Sequence, residues 1–166
     1  MFSIEDLVVY GIHGVCKIAD VEEKNIDGKN VSYYVLVPEE HAGAKFYVPI
    51  HNTAAVAKLR PLLTKEALEA LLHSDEVKHD AWIADESKRK QRYKELICSG
   101  DRAAIISMVR ALHVQKDLQL AAGRKFHLCD ENFLRDAEKL LSSEISRVLG
   151  MAQSEAIAHL RIGLID

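Results

Sequence analysis

Residues 31–37 read VSYYVLV and are followed by Pro38. A run this rich in β-branched and aromatic side chains fits a pleated strand, and the proline, with no N–H to donate, closes it. Upstream lies a second apolar run, Val15 to Val21, whose alternation is loose, and then the acidic stretch 22–30 containing Asp27-Gly28. Both turn residues tolerate positive φ, so a hairpin is predicted there. Residues 6–10 (DLVVY), closed by Gly11 and Gly14, and residues 45–50 (KFYVPI), with Pro49 at an end or edge, add two shorter strands. Four or five short strands in about 50 residues are too few for a sandwich and predict a small SH3-like or Tudor-like β-barrel.

Downstream the period changes from two to 3.6. Thr64 is an N-cap candidate ahead of Lys65, Glu66 and Ala67. Residues 101–118 place Ile105, Met108, Val109 and Leu112 on one stripe, and residues 130–149 do the same with Leu134, Ala137, Leu141, Ile145 and Val148. The second of these helices is predicted to open at Asp130 and close at Gly150. No proline follows Pro61, and Gly100, Gly123 and Gly150 punctuate the pattern instead. The fold class is therefore α+β, with a β-domain over 1–60, an all-α bundle over 64–166 and the boundary near 52–64.

Composition narrows the function. The 166 residues hold 22 Lys+Arg and 25 Asp+Glu, a net charge of −3, with 48% hydrophobic residues. That is ordinary globular composition, and it excludes collagen-like, disordered and disulfide-scaffold chains. Three scattered cysteines, Cys16, Cys98 and Cys129, suit a reducing compartment better than a disulfide framework. Glu5 and Asp6 stand where a secretory signal would carry Lys or Arg, and no run approaches a membrane span, so a cytoplasmic protein is expected. Neither half is a polycation, so any nucleic-acid contact must come from a local patch. Residues 88–94 (KRKQRYK) supply one, with five cations in seven positions.

That patch lies on a predicted helix over 80–98 whose stretch from Asp85 to Arg92 has no large apolar residue. Helical spacing puts Trp82, Arg89, Tyr93 and Leu96 on one face, flanked by Lys90 and Lys94 on one side and Arg92 on the other. Trp82, the sole tryptophan, reads either as a core anchor or as an aromatic wedge for a base step. The basic run reads either as a solvated face or as a row of phosphate ligands. His127 and Cys129 have no partners at zinc-ligand spacing, and no metal is expected. Phosphate-binding loops, nucleophile elbows and metalloprotease motifs are absent, so no enzyme and no cofactor are expected.

The opening MFSIEDLVVYGIHGVCKIADVEEKNIDGKNVSYYVLVP, with His13-Gly14 and the Tyr-Tyr-Val-Leu strand, resembles the N-terminal module of the CarD/CdnL transcription regulators, which transcription-repair coupling factor shares. The helical half is similar in layout through Trp82, Arg92-Tyr93-Lys94, Ser99-Gly100-Asp101 and Val109-Arg110. The resemblance implies a Tudor-like module docking on the β subunit of bacterial RNA polymerase through Lys24, Asn25 and Tyr47. It further implies a helical domain that touches promoter DNA at the upstream edge of the melted region. There Trp82 would wedge into the minor groove and stabilise the open complex, with Arg89, Lys90, Arg92 and Lys94 on phosphates. A single copy is expected, away from membranes. The other reading is a protein-only interaction module on polymerase. The chain departs from many relatives in three places. Ten residues separate Trp82 from Tyr93, Lys24 and Tyr47 stand where arginine is usual, and residues 121–129 resemble an insertion.

Overall fold

The computed structural model describes residues 1–77 and 82–161. It divides into two compact units, Met1–Leu62 and Leu63–Asp166.

The first unit is a five-stranded antiparallel sheet. Its strands are β1 (Leu7–Tyr10), β2 (Val15–Ile26), β3 (Lys29–Pro38), β4 (Phe46–Pro49) and β5 (Leu59–Pro61), arranged β4-β3-β2-β1-β5. This is the Tudor-like architecture expected of the first half. Asp27 and Gly28 take φ of 51° and 80°, the left-handed pair that turns β2 into β3. Val8, Cys16, Ile18, Tyr34, Leu36, Val48 and Leu59 form the core on one face, and the buried Tyr34 hydroxyl accepts the Phe2 N–H at 3.2 Å. Helix α1 (Thr53–Val56), capped by Asn52, leads into β5, whose Pro61 sits at the sheet edge where no ladder donor is needed.

Strands β2 and β3 outrun their neighbours. β1 pairs with β2 only over Val15 to Lys17, and β4 pairs with β3 only over Tyr33 to Leu36. The rest of the β2–β3 hairpin projects as a two-stranded arm, and among the described residues no strand pairs with the outer edge of residues 20–26.

Cys16 is wholly buried, and burial, reinforced by the Glu39 charge, pushes its thiol up to about 11. Only about one molecule in a thousand would carry the reactive thiolate at pH 8. Alkylation at that pH is expected to label the exposed Cys98 and to spare Cys16 until denaturant is added. Mass mapping of the labelled cysteines checks this, and rapid native labelling of Cys16 would contradict it.

The second unit is helical. It comprises α2 (Lys65–Leu72), α3 (Glu86–Ser99), α4 (Arg102–Ala121), α5 (Leu128–Leu149) and α6 (Gln153–Leu160), with a 3-10 turn at Asp75–Val77. Thr64, Asp85 and Asp101 cap α2, α3 and α4, each accepting the N–H of the third residue of its helix. Gly100 and Gly150 end α3 and α5 in the left-handed region.

Two boundaries differ from expectation. The helix predicted from residue 80 begins at Glu86, because Asp85 caps it; residues 80 and 81 lie outside the described residues, as do 162–166 of the predicted helical domain. The helix predicted to open at Asp130 opens at Leu128, and Asp130 is a buried first-turn residue. Helix α4 is buried on every side from Ile105 to His113, so it is the central helix, not an amphipathic one lying on a surface. Inside it, Arg110 donates to the carbonyls of Leu160 (2.9 Å), Val77 (2.8 Å) and Leu72 (2.8 Å). Those three carbonyls end α6, the 3-10 turn and α2, where helical bonding leaves acceptors unpaired. Burial lowers the Arg110 pKa below its ordinary value, though a guanidinium stays charged there.

Candidate functional site

The projecting arm carries the first candidate surface, and a β-bulge builds it. Ile18 pairs with Leu36, yet the next β2 residue in register is Asp20, opposite Val35. The extra residue, Ala19, inverts the alternation of β2 beyond it. Cys16 and Ile18 face the core, but Glu22 and Lys24 face outward, opposite Tyr33 and Val31. Tyr47 in β4 pairs with Val35 and so shares that outer face. The Lys24 ammonium lies 3.7 Å from the Tyr47 ring centroid and 5.9 Å from that of Tyr33, and the two rings meet edge to face at 6.4 Å. A cation seated on two aromatic rings loses little conformational entropy on docking, and tyrosines suit half-wet interfaces. Tyr47 remains 41% exposed.

Asn25 does not join this group. Alternation puts it on the opposite face of the arm, where its side chain accepts the Gly28 N–H and donates to Asn30, both at 3.2 Å. Its place is the turn. Tyr33 is the member the sequence reading missed; its cross-strand position relative to Tyr47 becomes visible only once the β3–β4 register is known.

The second surface surrounds the N-terminus of α3. Arg89, Tyr93 and Leu96 share one face of α3, as helical spacing predicts, and that face points inward, whereas Trp82, expected on the same face, precedes the helix. Arg89 was expected to hold phosphate and instead lies inside the unit, 4% exposed. Its Nε and Nη2 donate to the two carboxylate oxygens of Asp130 at 2.8 and 2.9 Å, and Nη1 donates to the Ile83 carbonyl at 2.9 Å. Burial works to lower the Arg89 pKa, but the Asp130 hydrogen bonds and charge outweigh it and hold the guanidinium above its ordinary value. A cation so engaged has no fork left for a phosphate.

Trp82 is half-buried. Its ring packs against the helical core, and the Arg89 guanidinium carbon lies 4.4 Å from its centroid. Lys90 reaches back one turn to Glu86 at 3.0 Å. That hydrogen bond, with the charge behind it, lowers the Glu86 pKa and raises that of Lys90. Lys88, Arg92 and Lys94 are exposed, in two flanks on either side of the buried Arg89–Tyr93 seam. Asp130, which organises this corner, was invisible to local pattern because its partner lies 41 residues away.

Among the described residues, no group of three His, Cys, Asp or Glu side chains is placed to hold a metal ion. No described helix is long and apolar enough to cross a membrane. Comparison with protein families gives two matches. Residues 2–62 match the family model of the CarD-like/TRCF RID domain, and residues 66–161 match that of the CarD C-terminal domain.

Proposed function

The chain belongs to the CarD family of RNA polymerase-interacting transcription regulators, and on that footing we propose that it stabilises the open promoter complex while docked on polymerase. The docking partner is the β subunit, met by the outward face of the β2–β3 arm with Lys24, Tyr33 and Tyr47. The helical unit then lies along promoter DNA at the upstream edge of the melted region. Trp82 enters the minor groove there, and Lys88, Lys90, Arg92 and Lys94 are the available phosphate ligands. Family members are regulators without catalysis, and this chain works in the cytoplasm with no cofactor.

The observation that carries this reading is the half-exposed Trp82 beside the exposed cations of α3. A chain of net charge −3 holds DNA poorly by itself, because phosphate neutralisation supplies most non-specific affinity. Docking on polymerase raises its local concentration, so weak contacts suffice. An inserted ring shifts the melting equilibrium only if the melted state offers it a better seat than the closed one.

The experiment has two arms. Lys24→Glu and Tyr47→Ala are expected to weaken capture of the polymerase β subunit, since small interfaces depend on few side chains. Lys88→Gln with Lys94→Gln is expected to leave that capture intact. It should flatten the slope of log affinity against log salt, for the regulator on a polymerase–promoter complex, by up to about 2 units. Different promoters should be affected about equally, because phosphates carry no sequence information. An unchanged slope would favour a protein-only module, and wild-type capture by both arm variants would move the docking surface elsewhere.

A further inference from the structure

We propose that Arg89 and Asp130 are positioning residues that hold the Trp82 ring at the angle needed for insertion, an inference that rests on the DNA-contact reading of Trp82. One guanidinium does three things at once. Its face covers the indole at 4.4 Å, its Nη1 edge takes the Ile83 carbonyl at 2.9 Å, and its Nε–Nη2 edge is fixed bidentately on Asp130. The ring, the backbone just after it and the first turn of α5 are thereby tied to one planar group. Both members of the pair are almost fully buried, at 4% and 1% exposure.

Stability is a poor explanation for such a pair. Desolvation consumes most of the Coulombic gain, and well-packed apolar residues commonly replace a buried ion pair without loss. A planar fork supplies what apolar packing lacks, a fixed direction. Asp130 is itself held in place, because a carboxylate in the first turn of α5 is favoured by the helix dipole. Trp82 precedes α3 and lies in no helix or strand, so without the guanidinium its ring could adopt other rotamers. A wedge that must first find its rotamer binds more weakly by the fraction of time it is misplaced.

Because Trp82 is the only tryptophan, its fluorescence reports the ring directly in the free, full-length protein. Asp130→Asn keeps the shape but removes the charge, and Arg89→Met with Asp130→Leu removes both charges together, leaving no unpaired ion and only the part-buried Ile83 and Ala84 carbonyls without this donor. In each variant the emission is expected to shift red and become more quenchable by acrylamide, with helical circular dichroism and capture of polymerase unchanged. The released fraction of indole should rise roughly two- to fivefold, in keeping with a buried guanidinium stacked on a half-buried ring. The open-complex lifetime should fall by up to the same factor, and the pair variants should shorten it no further when Trp82 is already alanine. Unchanged quenching in the folded double variant overturns the positioning, as does loss of helical structure in it, which would make the pair a core element. If Trp82→Ala leaves the lifetime unchanged while the pair variants still loosen the ring, the DNA reading alone fails.

Discussion

Arg110→Met is expected to destabilise the helical unit by about 3–9 kcal/mol, because three buried carbonyls lose their only described donor and each unsatisfied acceptor costs about 1–3 kcal/mol. Methionine roughly fills the space of the aliphatic stem, so the loss is one of hydrogen bonding, not of volume. Urea unfolding followed by helical circular dichroism reads it as a lower midpoint at constant slope. Domains have stabilities of about 5–15 kcal/mol, so the variant stands near the threshold of folding. Arg110→Lys should fall between the two, since an ammonium keeps the charge but cannot span three separated carbonyls. A midpoint unmoved by Arg110→Met would mean that water or backbone shifts satisfy α2, the 3-10 turn and α6 equally well.

The other large effect is functional. Trp82→Ala should shorten the open-complex lifetime roughly 5- to 100-fold, since stacking or wedging of an aromatic is worth about 1–3 kcal/mol. Binding to the polymerase β subunit should stay intact, because Trp82 belongs to the helical unit and Lys24, Tyr33 and Tyr47 to the sheet. Stability should fall less than for a fully enclosed tryptophan, because the ring is only half-buried. Heparin-challenged decay of the open complex measures the lifetime, and circular dichroism on the same preparation guards the interpretation. An unchanged lifetime in a folded variant ends the wedge reading. Loss of helical structure makes Trp82 a core anchor.

What could be read from the sequence was whatever depends on neighbours in the chain. The Tyr-rich strand, the Asp27-Gly28 turn, the Thr64 cap and the shared face of Arg89, Tyr93 and Leu96 all follow from local geometry, and all appear. The bulge at Ala19 did not show except as a loose alternation from Val15 to Val21, because only pairing with β3 reveals which residue is extra. Without it, Lys24 would be assigned to the wrong face. Arg89 was misread for a related reason. A charge run gives no warning that one of its members meets a carboxylate 41 residues later, and that partner, Asp130, itself read as the opening residue of a helix. Strand β5 escaped notice because three residues, Leu59–Pro61, are too few to display a period.

Apart from the Val21 N–H, which the Asp20 carboxylate accepts at 2.8 Å, the outward backbone groups of residues 20–26 have no strand partner among the described residues, an edge onto which a second copy of the same strand could add and so begin a chain of molecules. The side chains along that edge oppose it. In an antiparallel pairing centred on the first half of that edge, Asp20 would stand opposite Glu22 or Glu23 of the second copy, and like charges directly opposite are destabilising. That protection is electrostatic and therefore conditional. It weakens as salt shortens the Debye length to about 3 Å at 1 M. The same residues that make the first half acidic thus guard an extended, half-open strand against self-addition, and concentrated preparations at high salt lose that safeguard first.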